Sequence, residues 1–126
     1  MAGAVRLVRE HTDRMDVLIN NAGTPGGGVN PTDATAKDIH AVHDTNVYGP
    51  VRVTHAFLPL LQAADNPRVV MVTGEVANGR FTATDMNTHT GELTVTEGSD
   101  PIIELATLAS DGPTGIFIDR LGPIAW

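Results

Sequence analysis

Two short apolar runs, DVLIN at positions 16–20 and RVVMVT at 68–73, constrain this chain more than any other feature. Each is built of β-branched and aliphatic residues without polar alternation, the pattern of a strand buried on both faces of a parallel sheet. The segments around them carry helical periodicity. Strands therefore alternate with helices, which predicts an α/β layer with a parallel sheet.

Residues 2–12 place Val5 and Val8 on one helical face, with Arg6, Arg9 and Glu10 elsewhere, and read as the end of an amphipathic helix. Glycine and proline dominate Gly23 to Pro31, which marks a loop. Thr35-Ala36-Lys37-Asp38 has the form of a capping box, and Ile39 and Val42 give the short helix behind it an apolar stripe that runs out near Asp44. From Asn46 onward, Val47, Val51, Thr54, Leu58 and Leu61 recur at helical spacing and predict a long helix. Pro50 falls near its first turn, where a missing N–H costs least, and Pro59 should bend or end it. Thr94 to Glu97 forms a second capping box, opening a helix through Ile102, Leu105 and Leu108 with Pro101 awkwardly inside it. The turn Asp111-Gly112-Pro113 then leads into GIFID, a short final strand.

Composition narrows the functional classes. A chain of 126 residues holds one domain at most, and 41% hydrophobic with 18% charged residues is an ordinary globular balance. A formal charge of −7 argues against nucleic acid as a partner, because that affinity comes largely from Lys and Arg displacing counterions. The absence of cysteine removes disulfides and thiolate zinc sites and fits a cytoplasmic protein. No apolar run approaches the roughly 18 residues of a membrane span, and MAGAVRLVREH is too charged for a signal-peptide core. His40 and His43 share a helix face, but no third ligand stands at a recognisable metal spacing, and a solvated face is the expectation there.

Asn20-Asn21-Ala22-Gly23 closes the first apolar run, Asn46-Val47-Tyr48-Gly49 follows about one helix later, then RVVMVT, then Thr84-Asp85-Met86-Asn87. In this order and spacing the series resembles the short-chain dehydrogenase/reductase family. The tail, from TVTEGSD through ATLASDGPTGIFIDRLGPIAW, is similar to carbonyl-reductase-like bacterial members. The resemblance covers nearly all of the chain. It implies an NADP- or NAD-dependent oxidoreductase acting on a small-molecule carbonyl or alcohol. It further implies that Asn21, Ala22 and Gly23 lie on the cofactor side at the end of the family's fourth strand. Asn46 matches the family asparagine that holds a water in the proton-relay path, a role compatible with an ordinary helix N-cap. Thr84 matches a threonine that contacts the nicotinamide carboxamide.

The family's acid/base residues have no counterpart. A tyrosine moves the alcohol proton there, helped by a lysine four residues later, and a serine polarises the carbonyl. Here the only tyrosine, Tyr48, and the only lysine, Lys37, stand in reverse order and eleven positions apart. Matching RVVMVTG to the family's strand puts Gly74 at the serine position, and Ser99 and Ser110 lie elsewhere. The family's Gly-x-x-x-Gly-x-Gly phosphate loop is missing too. Gly26-Gly27-Gly28 does not replace it, because its spacing fits neither dinucleotide fingerprint and Pro31 precedes any helix.

Two deletions account for this pattern: one of the leading βα units, and one at 76–80, where the Tyr/Lys helix would stand. Residues 1–75 then correspond to the family's mid-region and 81–126 to its C-terminal region, a single partial Rossmann-like, doubly wound parallel sheet lacking its first strands. Such a chain is expected to be catalytically impaired. The alternatives are a non-catalytic remnant associating with an intact relative, or another copy, through exposed sheet edges, and a weak nucleotide-binding module.

Overall fold

The computed structural model describes residues 1–26, 30–73 and 82–124. Two compact units divide the chain, Met1–Met71 and Val72–Trp126.

In the first unit the two apolar runs form β1 (Val17–Asn20) and β2 (Arg68–Met71), paired in parallel with Val17 opposite Arg68 and Asn20 opposite Met71. Ahead of β1 lies the helix α1 (Ala2–Arg9). The crossover runs through α2 (Ala36–His43), a π-helical turn (Asp44–Tyr48) and α3 (Gly49–Leu61). The capping box forms as the sequence predicts, with the Asp38 amide donating to Thr35 Oγ1 and the Thr35 amide donating to Asp38 Oδ2. Phe57, Leu60 and Leu61 of α3 and Val70 of β2 make the buried core. Burying each such side chain is worth roughly 1.5–3 kcal/mol, so α3 is what holds the small sheet. The Met15 amide adds a bond to the Leu60 carbonyl at 2.9 Å.

Three expectations need correction here. α2 does end at His43, beside Asp44, but no new helix starts at Asn46: the π turn and α3 follow without a break, and Asn46 sits inside helical backbone where it caps nothing. The strands are not buried on both faces. Ile19 is 43% exposed, Val69 42% and Met71 53%. Side chains alternate along a strand, and Ile19 shares the face of its partner Val70, so each face of the two-stranded sheet is partly open. Finally, β2 stops at Met71, leaving Val72 and Thr73 outside the pairing. Pro59 lies inside α3, and the helix ends two residues later at Leu61.

In the second unit a single parallel bridge joins Thr82 to Leu93, beside a bond from the Ala83 amide to the Leu93 carbonyl at 2.7 Å. A 3-10 turn (Asp85–Asn87) precedes α4 (Val95–Ala106), which opens on the Thr94/Glu97 capping box and continues through Pro101. GIFID does not join the parallel sheet. Only Ile118–Asp119 is strand (β3), and it pairs antiparallel with Gly122–Pro123 (β4) in a hairpin. Arg120 ties that hairpin to α4, with Nη1 on Glu97 Oε1 at 3.1 Å and Nε 3.6 Å from Asp100 Oδ2. Among the described residues no helix is long and apolar enough to cross a membrane.

Candidate functional site

The Asn-Asn-Ala-Gly segment divides into one structural residue and three exposed ones. Asn20 is the one buried polar residue among those described, and its Nδ2 donates to Thr54 Oγ1 at 3.1 Å and to Met71 Sδ at 3.3 Å. One side chain thus ties β1 to α3 and β2. Asn21, Ala22 and Gly23 are exposed at the end of the strand. The family resemblance implies a cofactor-side role for these three, and Asn20 braces the sheet beneath them. The usable signal was its position, an amide that ends an otherwise apolar run.

Asn46 reaches this loop from the π turn. Its Oδ1 accepts from the Thr24 amide and its Nδ2 donates to the Thr24 carbonyl, both at 2.8 Å. The amide copies the two-point pairing of a strand neighbour and fixes the backbone just past Gly23. A Cβ added at Gly23 would lie 3.7 Å from Asn46 Oδ1, an ordinary contact, so the clamp leaves room for one. The loop continues with Gly26 at φ 85, where a Cβ would come within 3.1 Å of Val42. Gly27 and Gly28, the rest of the glycine run, lie outside the described residues.

The π turn carries its own supports. Pro50 has no N–H, so it cannot donate to the Asn46 carbonyl in the α-helical pattern. Arg52 hydrogen-bonds Asp44, and chiefly this bond holds the Asp44 carboxyl below its ordinary range, with the charges of Arg52 and His40 adding to it against some desolvation. His40 meets the Tyr48 ring edge-on at 6.2 Å, while His43 Nδ1 lies 3.0 Å from the Ile39 carbonyl oxygen. Tyr48 is 47% exposed, and Lys37 is exposed in the first turn of α2.

Thr84 belongs to the second unit. Its amide donates to Asn87 Oδ1 at 3.0 Å, and its carbonyl accepts from the His89 amide at 2.9 Å. Thr88 (φ 51) and His89 (φ 58) follow in the left-handed region, a strained pair for residues that are not glycine. His89 Nε2 lies 2.9 Å from Asp85 Oδ1 across this turn. Gly74, at the position of the family serine, and the junction at 76–80 lie outside the described residues.

The short-chain dehydrogenase family model matches residues 1–86, which takes in the clamp and Thr84. The chain belongs to the short-chain dehydrogenase family. A short-chain dehydrogenase/reductase of Aspergillus fumigatus is 41% identical over 86 residues, covering 62% of this chain and 32% of its own. The sulfoacetaldehyde reductase of Chromohalobacter salexigens is 35% identical over 74 residues, covering 59% and 29%. The (+)-neomenthol dehydrogenase of Capsicum annuum is 22% identical over 233 positions, covering 95% of this chain and 74% of its own. This short-chain dehydrogenase chain thus spans about a third of the Aspergillus relative.

Proposed function

We propose that this chain is a short-chain dehydrogenase that keeps the cofactor-side corner of the family's site and lacks the residues that move the proton, so that alone it does not turn over. The observation carrying this reading is the Asn46 clamp on Thr24, which sets the loop of Asn21, Ala22 and Gly23 in a defined backbone conformation. Exposed loop backbone there suits the adenosine side of NADP or NAD, and Thr84 would serve the nicotinamide carboxamide. The pyrophosphate fits poorly. At α2, the helix that follows the glycine-rich loop, the capping box already engages the Thr35 and Asp38 amides, and the Asp38 carboxylate would repel a phosphate. A bound nicotinamide would supply or accept a hydride from a small carbonyl or alcohol. This chain would contribute positioning by Asn46, and no Tyr-x-x-x-Lys to exchange the proton.

Support for an internal deletion comes from the Capsicum alignment. It extends over 233 positions while drawing on 95% of a 126-residue chain, so close to half of its positions face a gap here. The boundary between the two units, at Met71 and Val72, falls just ahead of the proposed junction at 76–80.

Titration with NADPH and with NADH, followed by NMR at the Thr24 amide and the Asn46 side-chain amide, tests the cofactor-side reading. Shifts confined to residues 21–24 and 46 should saturate only in the millimolar range, about 4 kcal/mol of binding free energy. Spectra unchanged at millimolar dinucleotide would sink it.

Association is a second reading, favoured by the partly open faces of the two-stranded sheet around Ile19, Val69 and Met71. An intact relative or another copy of the chain would cover them. Light scattering that returns a monomer mass across a wide concentration range, alone and mixed with an intact relative, would rule this out.

A further inference from the structure

Arg52 reaches back across the π turn and holds Asp44 at three points. Nη1 donates to Asp44 Oδ1 at 2.9 Å, and Nη2 donates to the Asp44 carbonyl at 2.9 Å and to Oδ2 at 3.2 Å. On a helix, side chains ordinarily meet at spacings of three and four. Arg52 stands eight residues after Asp44, a separation of about 12 Å along an α-helix. The interaction therefore spans the whole turn from Asp44 to Tyr48, with Asn46 at its centre.

A π turn carries an extra residue relative to an α turn, is rare, and occurs mostly where function requires it. Rewinding it to an α turn would rotate Asn46 by about 100° against one flanking helix. The amide would then leave Thr24. A surface ion pair alone would hardly oppose that, since exposed pairs contribute roughly 0–1 kcal/mol. Here a planar fork binds the carboxylate twice and a main-chain carbonyl once, which fixes backbone as well as charge.

We propose that Arg52 is a positioning residue for Asn46: by clamping Asp44 across the π turn, it keeps the Asn46 amide aimed at the Thr24 backbone. The importance of that aim rests on the reading of Asn46 given above, but its test reads the Thr24 amide and not turnover. Failure of dinucleotide binding would leave it standing.

Amide hydrogen exchange by NMR on the full chain provides the test. Arg52→Met should speed exchange of the Thr24 amide by at least about fivefold. The Met15 and Arg68 amides, bound to the Leu60 and Asp16 carbonyls, should keep their wild-type rates. Arg52→Lys, which can engage one acceptor at a time, should fall between Arg52→Met and wild type. In an Asn46→Ala background, Arg52→Met should add nothing at Thr24. The proposal is overturned if Thr24 exchange is unchanged, if all three amides accelerate together, or if the two substitutions multiply. Should Arg52→Met fail to fold, Arg52→Lys decides alone, with wild-type exchange at Thr24 as the overturning result.

Discussion

Replacing Gly98 with alanine sets two effects against each other in α4. Gly to Ala inside a helix ordinarily stabilises by roughly 1 kcal/mol. At Gly98, however, the new methyl would lie 2.0 Å from Thr82 Oγ1 and 2.9 Å from both Thr82 Cβ and Cγ2. Ordinary contact begins near 3.4 Å, so the gap must open by more than an ångström. Rotating the threonine brings another substituent toward the methyl and leaves its Cβ too close. Its backbone is held by the bridge to Leu93 and by the 2.7 Å bond from Ala83 to the Leu93 carbonyl. Overpacking of this kind costs about 1–3 kcal/mol. With so short a contact the upper part of that range applies, and the net loss should be roughly 1–2 kcal/mol after the helical gain is subtracted. Urea unfolding monitored by circular dichroism, together with exchange rates of the α4 amides, would measure it. Adding Thr82→Ala, which removes Oγ1 and Cγ2, should restore at least half of the loss. A Gly98→Ala protein more stable than wild type would refute the packing of α4 on Thr82, and with it the support given to the segment leading to Thr84.

Other outcomes follow from the same geometry. Asn20→Ala should destabilise the first unit by about 1–3 kcal/mol, because it removes a buried tie to Thr54, and a urea midpoint equal to wild type would contradict that role. Phe57→Ala should cost about 3–5 kcal/mol and abolish cooperative unfolding of the first unit, checked by the loss of slow amide exchange in β1 and β2. The Glu97 carboxyl is held below its ordinary 4.5, first by the Thr94 amide, then by the Thr94 hydroxyl and Arg120. A folded value below the unfolded one means that the cap's contribution is present above pH 4.5 and is lost as pH falls through the lower, folded value. Carboxyl-carbon NMR should therefore place the Glu97 midpoint below 4.5, and Glu97→Gln should remove this part of the acid dependence of α4.

The sequence made the alternation of strands and helices legible because the determinants are local. Apolar runs marked β1 and β2, and hydroxyl-to-acid spacing marked the starts of α2 and α4. What it hid depends on partners distant in the chain. Helical periodicity around Asn46 cannot distinguish a new N-terminus from a π turn, since one extra residue merely shifts the apolar stripe. Arg52 and Asp44, eight apart, fall outside any spacing that a sequence reading tests. Apolar content, which points to burial of both strand faces, records what a residue tolerates, whereas exposure of Ile19, Val69 and Met71 depends on which elements cover them. GIFID has strand composition over five residues, yet two pair, and they pair with β4 because a tight turn at Arg120 and Leu121 brings Gly122 alongside. The candidate site was legible as a list of residues from family resemblance. The clamp between Asn46 and Thr24, and the burial of Asn20 in place of its neighbours, needed coordinates.

The central claim is that this chain keeps a cofactor-side corner without an acid/base. Oxidation of NADPH and of NADH by the purified 126-residue chain, over a panel of aldehydes and ketones and read by nicotinamide absorbance, tests it most directly. The predicted result is a rate equal to the buffer blank for every carbonyl. A rate above the blank that Asn46→Ala abolishes would contradict the account.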